Sequence, residues 1–353
     1  MRRAPIPPPV PWHPDRPHVQ RAYRVDPDGE TGPTPGQAAG RFWRAVGPGW
    51  FRPSEQPTSV EQRIVEASYR LPSYGGVTGW AALRWCGGRW FEGRGPDGAL
   101  RDVPLAVHTA NRSHRPGVLL SKEKVRPHDL AEHLGLRVTT APRSVAYEMR
   151  HAATLREAVI ALDMACYNDL VSIAEVRRHV KTLGTWTGVG LARAALDLAD
   201  ENSWSPAETG LRLTWTTDTG LGPVLCNRPV FDVDGRHLVT PDLLDVEAGV
   251  AGEYQGEHHF HRDQRRVDVE REQRLRAAGL EYVEIMGGDT AEQVVARLRA
   301  TYARAARMPA AARRWTLERP PGWIATDTVD QRRSLSRDQR RRLLGRRVLA
   351  DAA

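Results

Sequence analysis

Asp242 and Glu253 stand eleven residues apart in a chain of 353, and Gln255 follows two residues later. A residue entering one strand, a turn around Glu247-Ala-Gly249 and a second strand would bring the two carboxylates together. Side chains alternate along a strand, so Glu253 and Gln255 would share a face. Converging carboxylates can hold a hard divalent cation. With magnesium or manganese bound, water becomes nucleophilic near neutral pH and charge on a crowded phosphate is stabilised. The expected chemistry is phosphodiester hydrolysis, with Asp242 and Glu253 as metal ligands and Gln255 positioning water. The backbone carbonyl of Tyr254 is a further candidate ligand.

Each residue taken alone has a plainer reading. Asp242, after Pro241, reads as a strand-entry or turn residue, and Glu253 as an exposed strand position. Asp245 competes with Asp242 for the first carboxylate. His258, His259 and His261 follow the second strand, where a histidine can protonate a leaving oxygen or contact phosphate. They also fit an ordinary run of surface histidines.

Several elements must position these groups. Ser205-Pro-Ala-Glu208 combines a serine N-cap, proline at the first helical position and glutamate three residues on, which together signal a helix start. Strands are expected at Val230–Val233 and His237–Asp242, around an Asp234-Gly235 turn. Beyond the Glu253 strand, residues 262–278 read as a charged helix stopped by Gly279. Residues 280–286 then read as a strand and residues 290–306 as an amphipathic helix. This order describes an α/β unit of about 110 residues.

Upstream, Arg41–Arg52 reads as two aromatic strands about Gly47-Pro-Gly49, resembling the wing of a winged helix. Helices are expected at residues 60–69 and 78–85, with strands at 105–109 and 117–120. Leu155, Val159, Leu162 and Cys166 form a helical apolar stripe, as do Ile173, Val176 and Val180. The prolines at 5, 7, 8, 9, 11, 14 and 17 predict a largely disordered start, with order from about Gly40.

The apolar content of 40% permits a sizeable core, and the length suggests two or three packed units. No apolar run reaches the roughly 20 residues of a membrane span, and the first residues lack a signal-peptide centre. A cytoplasmic protein without membrane contact is the expectation. Cys86, Cys166 and Cys226 show no paired spacing, so they read as core residues rather than a disulfide or zinc framework. Residues 301–353 hold thirteen arginines against Glu318, Asp327, Asp330, Asp338 and Asp351, a surplus equal to the whole formal charge of +8. A basic tail of this kind suits a polyanion or a solvated helix.

Residues 205–306 resemble the restriction-endonuclease-like domain, the PD-(D/E)xK superfamily, in its variant related to very-short-patch-repair endonucleases. The resemblance runs through Asp242, Glu253, Gly256, His259, Asp268, Arg271, Leu275, Gly279 and the strand at Val283. It implies a magnesium-dependent DNA endonuclease with His259 as auxiliary acid or phosphate contact. Glu208 would match the helix glutamate that relatives aim at the metal, although Ser205-x-x-Glu208 is equally a capping box. At Gln255 the superfamily carries lysine and this variant aspartate; an amide orients water or phosphate but carries no charge.

Residues 41–200 resemble AbiEi-type antitoxins in Val77-Thr-Gly-Trp-Ala-Ala-Leu-Arg-Trp85, Val138-Thr-Thr-Ala-Pro-Arg-Ser144 and Glu157-Ala-Val-Ile-Ala-Leu-Asp163. That resemblance implies DNA and a toxin–antitoxin partner protein as binding partners. The expected architecture is therefore α/β. A disordered start (1–39) precedes an antitoxin-like α+β region with a partial winged-helix remnant (40–200). A nuclease-like mixed sheet flanked by helices (201–306) and a basic extension (307–353) follow. The alternative is a non-catalytic DNA-binding regulator in which the nuclease fold survives as a scaffold.

Overall fold

A computed structural model describes residues 8–55, 58–109, 115–256 and 272–349. The protein is a mixed α/β structure with several sheets. It divides into two compact units: residues 1–151 with 178–187, and residues 152–177 with 188–353.

In the first unit, strands β1 (Pro11–His13) and β2 (Arg16–Gln20) form an antiparallel pair, and β3 (Tyr23–Arg24) joins a later hairpin. The start is thus ordered well before Gly40, contrary to the expectation from its prolines. Tertiary anchors override the composition. The indole of Trp12 donates to the Leu134 carbonyl at 3.1 Å, and the Arg16 guanidinium lies 4.4 Å over Trp85 and donates to its carbonyl.

Next come α1 (Pro35–Ala38) and the hairpin β4 (Trp43–Gly47) and β5 (Trp50–Pro53), where the aromatic strands were expected. Helix α2 (Val60–Ser68) starts on Ser59, whose side chain accepts from the Gln62 N–H. Then follow β6 (Gly76–Val77), α3 (Gly79–Trp85), β7 (Val103–Ala106), β8 (Val118–Ser121), β9 (Leu130–His133), β10 (Leu136–Thr139) and α4 (Ala141–His151). The last five strands make a sheet of order β8-β7-β6-β10-β9.

The second unit opens with α5 (Leu155–Tyr167), the apolar stripe read from sequence; α6 (Ile173–Lys181) crosses the division. Helices α7 (Val189–Leu198) and α8 (Pro206–Leu213) follow. Within this unit α5 is tied to α8 by charge. Asp163, fully buried, accepts from Arg212 at 2.6 Å, from Thr209 at 2.9 Å and from the Asp200 N–H at 2.9 Å. Three donors are what a carboxylate needs to stay in an interior.

The unit continues through β11 (Leu225–Cys226), β12 (Val230–Asp232), β13 (His237–Val239), β14 (Leu243–Asp245), β15 (Val250–Gln255) and a helix α9 described over 272–277. Then come β16 (Glu281–Met286), α10 (Ala291–Ala305), β17 (Trp315–Thr316), α11 (Val329–Arg333) and α12 (Arg337–Leu349). The strand expected over His237–Asp242 is two pieces. β13 pairs with β12 in a three-stranded sheet, and the chain re-enters a four-stranded sheet, β11-β14-β15-β16, beyond Pro241. Proline has no N–H for a ladder, so it marks the crossing.

One face of the four-stranded sheet carries Leu243, Val250, Val283 and Ile285 against Leu211, Trp215, Val294 and Leu298 of the α8 and α10 regions. Gly252 belongs to this face: a Cβ there would meet the Trp215 ring at 2.5 Å. Trp215 lies in a π-helical turn, Thr214–Asp218, and is fully buried. The opposite face is covered in part by a second cluster, in which Leu244 and Ala251 meet Val230, Val239, Leu275 and Leu280.

The arginine-rich end is woven into this unit. Arg332 is fully buried and donates to Asp169 at 2.6 Å and to the carbonyls of Cys166, Glu201 and Thr326. Arg340 reaches the same carboxylate at 2.8 Å, Arg333 pairs with Glu175 at 2.9 Å, and Arg319 shares Asp327 with Arg228. Among the described residues Arg332 is the buried arginine of this segment, whereas Arg304, Arg307, Arg313, Arg314, Arg333, Arg337, Arg341 and Arg342 are exposed. Cys166 and Cys226 are buried free thiols and Cys86 is half-buried, as core residues should be. Among the described residues no helix is long and apolar enough to cross a membrane.

Candidate functional site: a carboxylate row across three strands

β14 and β15 are joined by a tight turn over residues 246–249. Asp245 accepts from the Ala248 N–H at 2.8 Å through its side chain and from the Gly249 N–H through its carbonyl. Gly249 closes the turn at φ +70°, a left-handed conformation that glycine takes without cost. The antiparallel register pairs Leu243 with Gly252. Asp242 stands one residue before this ladder begins. The Asp242 carboxylate reaches across the ladder and accepts from the Tyr254 N–H at 2.7 Å.

On the other side of β15, the parallel strand β16 pairs Glu253 with Glu284 and Gln255 with Met286. Residues opposite one another in a ladder point to the same face. Glu253 and Glu284 therefore share a face, Gln255 lies on it two residues beyond, and Asp242, just before β14, reaches the neighbouring Tyr254 N–H with its carboxylate. Glu253 and Glu284 sit at the carboxyl end of the parallel pair, where open α/β sheets place ligands. Glu253 is only 7% exposed, and the Tyr282 hydroxyl donates to it at 2.8 Å; Asp242, Gln255 and Glu284 are half-buried.

Asp245 is removed from these carboxylates. It lies on the other face, is 2% exposed, and accepts from the Tyr302 hydroxyl, which itself accepts from the Trp215 indole at 2.8 Å. Burial and then the Asp245 contact push the Tyr302 phenol well above its ordinary value. Asp245 is a structural anchor, which leaves Asp242 as the carboxylate beside Glu253.

Glu208 combines its two sequence readings in an indirect way. Ser205 caps α8, accepting from the Glu208 N–H at 3.1 Å, and the Glu208 carboxylate returns to the Trp204 N–H at 2.9 Å. The same carboxylate oxygen accepts from the Asn227 side chain at 2.8 Å, and the Asn227 N–H donates to the Asp242 carbonyl at 2.9 Å. Asn227 is 3% exposed and holds φ +47°, a conformation that asparagine tolerates better than most residues. Asn202 brackets it, with side-chain donors exchanged in both directions. Glu208 thus reaches the backbone of Asp242 through Asn227.

No group of three or more His, Cys, Asp or Glu among the described residues could hold a metal ion, so neither Glu208, Asp242 and Glu253 nor Asp242, Glu253 and Glu284 form one. The fit to a cation rests on Asp242 and Glu253, whose oxygen donors suit a hard ion that keeps much of its water. Tyr254 contributes its N–H to the Asp242 carboxylate. His258, His259, His261, Asp268 and Arg271 lie outside the described residues.

Sequence reasoning missed Glu284, Tyr282, Asn227 and Asn202. The alternation of residues 281–286 held a signal, since Tyr282, Glu284 and Met286 share a face, but a parallel partner cannot be read from spacing. Comparison with family models, with curated proteins and with solved structures finds no match to this chain.

Proposed function

We propose that the second unit is a metal-dependent nuclease that hydrolyses DNA phosphodiester bonds at the carboxylates of Asp242 and Glu253, with a restriction-endonuclease-like sheet as its scaffold. The observation that carries this reading is the hydrogen bond from the Tyr254 N–H that holds the Asp242 carboxylate beside Glu253, with Gln255 on the Glu253 face. The sheet supports it: helices α8 and α10 cover one face, while Glu253 and Glu284 lie on the other at the ends of parallel strands.

Asp242 and Glu253 would hold a hydrated magnesium or manganese ion. When bound, such an ion supplies an acidified water and charge stabilisation at phosphate. Tyr254 N–H and Tyr282 OH orient the two carboxylates by hydrogen bonds. Gln255, neutral, orients water or a phosphate oxygen and accepts no proton. Asn227 ties the Glu208 helix to the Asp242 backbone, so Glu208 acts as a support.

The test incubates the full chain with plasmid and with single-stranded DNA under magnesium or manganese, beside Asp242→Ala and Glu253→Ala. Cleavage should fall in both variants by more than the roughly 10–100-fold typical of outer-shell changes. Equal residual cleavage in all three proteins would overturn the reading and leave DNA binding without catalysis as the surviving role of the sheet.

A further inference from the structure

Beside the β4–β5 hairpin of the first unit lies a cavity of about 160 Å³, lined by Arg44, Arg63, Arg115, Glu66 and the backbone around Ala45 and Gly117. That volume is well beyond the space one water needs. Its charge is unbalanced. Glu66 is the one acidic lining residue, and it is consumed twice, by a two-pronged contact to Arg44 at 2.6 and 2.7 Å and by the buried Arg52 behind it.

Arg63 and Arg115 have no ion-pair partner among the described residues. Arg115 donates to the Ala45 carbonyl and Arg63 to the Arg101 carbonyl, and the Arg63 Nη1 is buried without a hydrogen-bond partner. An orphaned guanidinium nitrogen is costly, because a buried donor loses its water and gains nothing in return. Burial and the nearby Arg94 disfavour the charge on Arg63, with Asp102 opposing them.

We infer that this cavity is a binding site for a phosphoryl group carrying about two negative charges, held between Arg63 and Arg115. Two uncompensated guanidiniums match such a dianion better than a carboxylate, which would leave one of them unmet. The planar fork of arginine fits phosphate oxygens in pairs. Arg44, fixed by Glu66, frames the site. The group can come from free phosphate or a nucleotide, or from the 5′-phosphate end of a nucleic acid, and both present the same oxygens. The site lies wholly in the first unit and does not depend on the nuclease reading.

Calorimetric titration of the full chain with inorganic phosphate tests it, beside Arg63→Gln, Arg115→Gln and, as a control, Arg342→Gln at an exposed position of α12. Saturable one-to-one binding is expected, weakened about tenfold by either cavity substitution and unchanged by the control, as loss of one charge-assisted contact implies. Arg63→Lys and Arg115→Lys keep the charge and lose the fork, so intermediate affinities are expected even if the glutamine variants fail to fold. A second arm compares a mononucleotide with an oligonucleotide bearing or lacking a 5′-phosphate, and this identifies the source. Absence of saturation at about 10 mM phosphate, far weaker than ordinary ligand affinity, would overturn the inference. So would equal affinity for acetate, or cavity variants that bind as tightly as the parent.

Discussion

The two faces of the β14-β15-β16 sheet are built from alternate residues of the same strands, yet they put their acids to opposite uses. On the helix-covered face, Asp245 is closed off by a turn N–H and by Tyr302, and Glu281 is met by Arg304 at 2.9 Å. On the other face, Glu253 and Glu284 stand opposite each other, with Asp242 tied to the next residue of β15. The contrast teaches that the role of a strand carboxylate is set by its parity along the strand and by what lies above it, because a shift of one residue exchanges the faces.

The comparison can be broken most severely from the packed face. Trp215→Ala should cost about 3–5 kcal/mol by chemical denaturation, since it empties a fully buried site over Gly252. A cost below about 1 kcal/mol would show that this face does not hold the sheet. Tyr302→Phe should cost about 1–3 kcal/mol, because it strands Asp245 and the Trp215 indole together.

The acidic face should respond differently. Asp242→Asn keeps an acceptor for the Tyr254 N–H, so its stability without metal should lie within about 1 kcal/mol of the parent. Magnesium at about 100 times its dissociation constant should stabilise the parent by roughly 2.7 kcal/mol, measured by thermal unfolding, and leave Asp242→Asn unmoved. An equal shift in both would place the ion elsewhere.

The smallest effect is at alkaline pH. The Tyr302 phenol is held above its ordinary 10.0 in the folded chain, first by burial and then by Asp245. The folded state keeps this proton more tightly than the unfolded one. Its contribution is therefore complete below pH 10 and is lost as pH rises through the folded value. Tyr302→Phe should remove that part of the alkaline slope, and Asp245→Asn should shift it to lower pH in an absorbance titration.

Local features were legible in the chain. The hairpin carrying Asp242 and Glu253 announces itself by a glycine turn between alternating runs, and α8 by Ser205-Pro-Ala-Glu208. α10 starts on Thr290, whose side chain and that of Gln293 cap each other. What escaped reading was distant in sequence. Glu284 comes opposite Glu253 through parallel pairing, and no short-range pattern encodes that register. Asn227 matters because a loop at φ +47° aims its side chain at Glu208 and its N–H at Asp242. The proline-rich start is ordered by Trp12 and Arg16 finding partners more than sixty residues away. The buried pair of Asp163 and Arg212 joins positions 49 residues apart, a pairing the intervening helix conceals.

Arg332 carries a consequence for how the chain can be shortened. Its guanidinium gathers carbonyls and a carboxylate from segments more than 100 residues upstream, and β17 supplies an edge to β12. Trimming the protein after Ala306 would leave Asp169 and the carbonyls of Cys166 and Glu201 to water or to emptiness. A shortened protein that loses DNA affinity would thus be reporting an unravelled keystone, and single replacements at outward-facing arginines such as Arg341 and Arg342 are the cleaner probe of polyanion contact.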